Sequence, residues 1–156
     1  DYLIVDMPPG TGDIQLQLSQ SSPLTGAVVV TTPQDIALID AKKGLRMFEK
    51  VNVPLIGIIE NMSVFICPCC GKVQHIFGEG GAKRMSETYG VPLLGELPLS
   101  ADIREAADSG NPTVAADPES PAAKMYRSIA MKIAGAVAKL GKDYSARMPT
   151  ISVKND

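Results

Sequence analysis

The chain has 156 residues, 45% apolar and 21% charged, which fits one ordinary globular domain with enough chain for a core. A net charge of −2, a pI near 5.4 and only 4% aromatics, with no Trp, leave neither a basic stripe nor a stacking surface for nucleic acid. No apolar run reaches the ~20 residues that cross a bilayer, the strand-like opening DYLIVD is not expected to be a signal peptide, and three clustered cysteines fit a reducing, cytoplasmic setting better than a disulfide framework.

In chain order, DYLIVD (1–6), GAVVVTT (26–32), VPLIGIIEN (53–61) and VPLLGELP (91–98) are near-continuous Val/Ile/Leu runs. Such runs predict strands buried on both faces of a parallel sheet. Helical stretches lie between them. One follows Asp35, read as its N-cap, with Leu38, Ala41, Leu45 and Phe48 on one face, while Lys42 and Lys43 read as a solvated face. A second lies within GEGGAKRMSETYG and closes at Gly90. A third runs from Ser100 to a stop at Gly110, and the longest begins near Pro121, where the missing N–H costs nothing. Alternating strands and helices predict an α/β layered domain with a mostly parallel sheet. The stretch 141–156 is polar and unpatterned and reads as a loose tail.

DYLIVDMPPGTGD carries the first chemical signal. A strand ending in Asp6 sets a carboxylate beyond the sheet, where Mg²⁺ or its water shell can be held. Pro8 and Pro9 stiffen the following loop, Gly10 and Gly12 let backbone N–H groups approach phosphate oxygens, and Asp13 reads as the cap of the next helix. Without a ligand, the same pattern is only a strand, a turn and a cap.

FICPCCGKVQHIFGEGG (65–81) carries the second. Cys67, Cys69 and Cys70 are the only cysteines, and His75 is the only histidine. A closed tetrahedral metal site needs four ligands, and one C-x-x-C pair supplies two. Three chemistries fit the pair: a cluster shared with a second copy, half of a zinc site, or a thiol redox motif. Its position several residues past a strand, rather than at a helix N-terminus, favours metal. Cys69 reads as a bystander, and His75 as a residue that packs or hydrogen-bonds.

DMPPGTGD (6–13), TTPQDIALIDAKKG (31–44), ENMS (60–63), CPCCG (67–71), IFGEGGA (76–82) and LGELPL (94–99) together closely resemble the C-terminal part of the Mrp/ApbC family. These are P-loop ATPases that act as iron–sulfur cluster carriers and are relatives of the MinD/ParA group. The resemblance runs from residue 1 to about 140. It implies that Asp6 is the catalytic Walker B acid, holding Mg²⁺ through water. Pro8, Pro9, Gly10, Thr11 and Gly12 would form the γ-phosphate-sensing switch loop, Asn61 would read the adenine of ATP, and the loop at Pro98 would close over the base. It further implies that Cys67 and Cys70 hold a [4Fe-4S] cluster across a homodimer for delivery to apo iron–sulfur proteins, with zinc as a substitute in aerobic samples. The rival expectation is a MinD/ParA-like scaffold or positioning ATPase with a structural zinc site; the tail, with Pro149 and few large apolar residues, is a poor membrane-seeking helix.

The phosphate loop G-x-x-x-x-G-K-S/T is missing: FGEGGAKR lacks the Gly-Lys-Ser/Thr ending, and LGKDYS has Asp after Gly-Lys and Ala136 in place of the first Gly. The expectation is therefore residues 1–140 as the C-terminal part of a P-loop ATPase domain, with the cysteine loop at 65–81, lacking the Walker A half. Such a piece is expected to hydrolyse little ATP alone and to associate through its uncovered edges.

Overall fold

The computed structural model describes residues 2–8 and 12–140. The elements in chain order are α1 (Asp13–Ser21), β1 (Ala27–Thr31), α2 (Asp35–Lys50), β2 (Leu55–Glu60), β3 (Phe65–Ile66) and β4 (Val73–Gln74). They continue with α3 (Gly81–Tyr89), β5 (Leu93–Glu96), α4 (Ala101–Asp108), α5 (Thr113–Ala116) and α6 (Pro121–Lys139).

Three of the predicted apolar runs form one parallel sheet in the order β1-β2-β5, with Val29 opposite Ile58 and Thr31 opposite Glu60. Ile58 and Ile59 point to opposite faces, and the register shift that leaves Ile56 unpaired turns it to the side of Ile59, so β2 feeds two cores at once. Ile58 joins Val29, Leu45, Ala82 and Met85 beneath α2 and α3, whereas Ile56 and Ile59 join Leu94 and Ile129 beneath α6. Helices thus cover both faces, which explains the lack of alternating polar residues in these runs. Gly95 lets α6 seat closely, since a Cβ there would stand 2.6 Å from the Ile129 side chain.

Helix ends follow local chemistry where a side chain or a glycine can supply it. Ser120 accepts the Ala123 N–H at 3.1 Å ahead of Pro121, and Gly90 closes α3 in the left-handed region at φ +64°. Ser100 occupies the N-cap position of α4. Lys42 and Lys43 are exposed on α2, and Lys43 pairs with Asp40 at 3.0 Å, as expected of a solvated face.

Two expected caps are corrected. Asp35 is the first residue of α2 and Gln34 holds the cap position, while Gly12 precedes α1 and Asp13 lies in its first turn. A carboxylate there still faces the positive end of the helix dipole.

The strand expected at 1–6 is also corrected. Residues 2–6 are unpaired and outside the sheet, with Leu3 88% and Ile4 80% exposed. A β pattern becomes a strand only when a neighbour completes its ladder, and no described strand lies beside this segment. The predicted tail at 141–156 falls outside the described residues.

Candidate metal and nucleotide site

The cysteines sit on a small antiparallel hairpin. β3 and β4 pair Phe65 with Gln74 and Ile66 with Val73. At the tip, the Cys67 N–H donates to the Lys72 carbonyl at 3.0 Å, and the Gly71 N–H donates to the Cys67 carbonyl at 2.8 Å. Gly71 makes this turn at φ +69°, where a side chain would be strained.

The turn folds the peptide back over the first sulfur. Backbone N–H groups of Cys69 and then Cys70 hydrogen-bond to Cys67, helped by the Cys70 thiol, and lower its pKa. Burial opposes them more weakly. Donors aimed at sulfur stabilise the thiolate, which is the form that binds metal. All three thiols are free, with Cys67 half-buried and Cys69 and Cys70 exposed. No group of three or more His, Cys, Asp or Glu side chains converges as a metal site among the described residues. His75 instead faces Glu79, its Nε2 3.8 Å from the Glu79 carboxylate.

The hairpin is moored to the carboxyl end of the sheet. Leu97 donates to the Glu60 carbonyl at 2.8 Å, Ser63 to Leu97 at 2.9 Å, and Leu99 to Val64 at 2.8 Å, so the chain after β5 runs beside the chain after β2. Pro98 falls between the donors Leu97 and Leu99, a position where its missing N–H breaks no ladder bond. This ladder brings the segments carrying Asn61 and Pro98 together at one end of the sheet. Asn61 donates its own N–H to Thr31 at 2.7 Å, and its Oδ1 accepts the N–H of Met62, which lies at φ 56°. These bonds use the backbone N–H and one lone pair of Oδ1, and Nδ2 is a further donor on the same side chain.

Asp6 and Pro8 are exposed, and the Pro8 carbonyl accepts from Gln15 Nε2 at 3.1 Å, tying the proposed switch segment to α1. Pro9, Gly10 and Thr11 lie outside the described residues; Gly12 is exposed at the start of α1. Asp6 and Gly12 therefore flank the segment expected to meet phosphate.

Sequence reasoning missed Glu60. Its side chain is 1% exposed, and its carboxylate accepts the Ala82 N–H at 2.6 Å. The available signal was an acid closing an apolar strand followed, about twenty residues later, by a Gly-Gly helix start with no capping side chain.

Residues 1–134 match the family described as ParA: NUBPL iron-transfer P-loop NTPase. The chain belongs to that family. Similar relatives within this NTPase group include proteins named iron-sulfur cluster carrier protein. The one from Pseudomonas fragi is 57% identical over 131 residues, covering 84% of this chain and 46% of that protein. The one from Escherichia coli strain K12 is 61% identical over 134 residues, covering 86% and 36%. The chain thus spans less than half the length of these curated relatives. A solved nucleotide-binding protein from Archaeoglobus fulgidus, in complex with ADP and with Co found by PIXE, superposes with a TM-score of 0.63. It is 38% identical, over 71% of this chain and 46% of that one. The parallel sheet flanked by helices is accordingly part of a P-loop NTPase fold.

Proposed function

We propose that the chain is the cysteine-bearing, C-terminal part of an ATP-dependent iron–sulfur cluster carrier, with residues 1–140 forming the C-terminal part of its ATPase domain. The observation that carries this reading is the Cys67–Cys70 turn, where backbone donors favour the Cys67 thiolate and no third ligand converges among the described residues. Two thiolates leave half of a tetrahedral set unfilled, and a second copy related by a two-fold axis supplies the other two. The cargo is then a [4Fe-4S] cluster held between two subunits and passed to apo iron–sulfur proteins. The names of the curated relatives support the same cargo.

The nucleotide reading rests on the carboxyl end of the sheet, where open α/β sheets bind their ligands. Asn61 Nδ2 donates to the adenine edge, and the Pro98 segment lies against the base. Asp6 is exposed and carries oxygen donors of the kind Mg²⁺ prefers, so it fits as the acid that holds the ion through water. When bound, Mg²⁺ neutralises phosphate charge as water takes the γ-phosphoryl group, yielding ADP and phosphate. The phosphate-cradling lysine loop is absent from this sequence, so the chain by itself turns over negligible ATP. Among the described residues no helix is long and apolar enough to cross a membrane, and the free thiols suit a reducing compartment such as the cytoplasm.

Anaerobic reconstitution with iron and sulfide tests the assignment. A chromophore at four irons per dimer, lost in Cys67→Ala and in Cys70→Ala but kept in Cys69→Ala, is the expected result. Tight zinc binding with no chromophore would support the scaffold-ATPase alternative instead.

A further inference from the structure

We infer that Glu60 is a positioning residue for the cysteine hairpin, a role that rests on the cluster-carrier reading for its purpose but not for its geometry. Residues 61–81 leave the sheet after β2 and return at α3, and both ends of this excursion meet at Glu60. Its backbone leads directly into Asn61, and its carboxylate takes the N–H of Ala82, 22 residues further on, at 2.6 Å.

The contact supplies what the local sequence lacks. Gly80, at the cap position of α3, has no side chain to accept the first helical N–H groups, and no side-chain cap bond forms there. The Glu60 side chain caps this helix from the neighbouring strand, with its carboxylate at the positive end of the helix dipole. Gly81 packs against Pro33 and Leu38 so closely that a Cβ would lie 2.9 Å from the Pro33 carbonyl and 2.8 Å from Leu38. The helix start is therefore fitted tightly to the sheet, and the strand end is buried with it.

Little else holds the hairpin down. A cleft of about 280 Å³ separates its root from the sheet, lined by Glu60, Ser63, Val64, His75, Glu79 and Lys83 among others. Ile66, Val73 and Ile76 are each 53% exposed, so the hairpin contributes little apolar anchoring. The incoming end is moored by the ladder to Leu97 and Leu99, whereas the outgoing end is held by Glu60–Ala82, by an exposed hydrogen bond from Arg84 Nη1 to the Glu79 carbonyl at 2.8 Å and by the exposed His75–Glu79 pair. Exposed polar contacts contribute little, so the buried carboxylate is the strongest of the three.

Hydrogen exchange on the full chain, with Glu60→Gln and Glu60→Ala, tests the role. Glu60→Gln keeps a neutral acceptor, which guards against a variant that fails to fold. Amides of 67–82 should exchange about tenfold faster in Glu60→Ala, and less so in Glu60→Gln, while core amides of β1 and β2 keep their protection. After reconstitution, Glu60→Gln should also release iron to a chelator several-fold faster, with an altered visible spectrum. Unchanged exchange in 67–82, or equal acceleration throughout the sheet, overturns the inference. So does a loaded Glu60→Gln protein with wild-type spectrum and release rate. If the wild-type chain takes no cluster, the carrier reading fails while the exchange measurement still decides the role of Glu60.

Discussion

Gly71 donates its N–H to the Cys67 carbonyl at 2.8 Å from a left-handed backbone at φ +69°, and together with the Cys67 N–H bond to Lys72 this closes the turn that carries all three cysteines. An added Cβ would meet no atom within 4 Å, so Gly71→Ala tests conformation without a clash. The left-handed region costs a non-glycine residue about 1 kcal/mol. A tip that refuses this conformation withdraws the Cys69 and Cys70 amides from the first sulfur. Cobalt or zinc affinity, followed by chelator competition, should fall about fivefold, while the thermal midpoint of the core changes little. Undiminished affinity would mean that the turn does not set the ligand geometry.

The same amides predict a pH signature at Cys67. Its folded pKa lies below the ordinary thiol value because N–H donors favour the thiolate. The stabilising contribution is therefore present above the unfolded pKa and is lost as the pH falls through the lowered folded value. Iodoacetamide labelling mapped by mass spectrometry should show Cys67 reacting with a midpoint below that of a free thiol in a peptide. In Gly71→Ala the midpoint should move back up.

How legible these features were depended on whether each was local. β1, β2 and β5 read correctly because burial on both faces writes itself as continuous Val, Ile and Leu, and Gly90 and Pro121 marked helix ends through their own backbone limits. DYLIVD carries the same pattern yet forms no strand, because pairing belongs to the neighbour and not to the segment. The β3–β4 hairpin escaped notice since two-residue strands have no periodicity, and α5 is equally short. Glu60 was invisible for a further reason: its burial is created by α3, which arrives only after the cysteine excursion. At the candidate site, the Cys67–Cys70 pair was readable from its spacing as a candidate half-set of ligands, whereas the Asn61 Oδ1 contact needed the left-handed Met62 backbone.

The exposed apolar segment leads to a prediction about association. Leu3 and Ile4 are nearly fully exposed, and Val30 on β1 is 59% exposed. Large apolar side chains exposed to this degree favour self-association in water. Size-exclusion with light scattering should show this chain heavier than a monomer at micromolar concentration. The double substitution Leu3→Lys and Ile4→Lys should shift it toward monomer. A clean monomer for the unmodified chain would remove the idea that this surface is covered by another copy.

Asn61 gives the last prediction. Its Oδ1 accepts the Met62 N–H at 3.0 Å, which leaves Nδ2 as the side chain's uncommitted donor. In the nucleotide reading Nδ2 is the group that donates to the base. Asn61→Ala removes one neutral hydrogen bond, about 1 kcal/mol, and should weaken ATP binding to the full-length ATPase about fivefold by calorimetry. Asn61→Asp keeps the acceptor for Met62, and hence the turn, but replaces the Nδ2 donor with a second carboxylate oxygen. It should therefore bind ATP more weakly than the alanine variant despite preserving the local fold. If the aspartate instead binds as well as asparagine, the Nδ2 group is not what recognises the base, and the adenine site lies elsewhere at the sheet end.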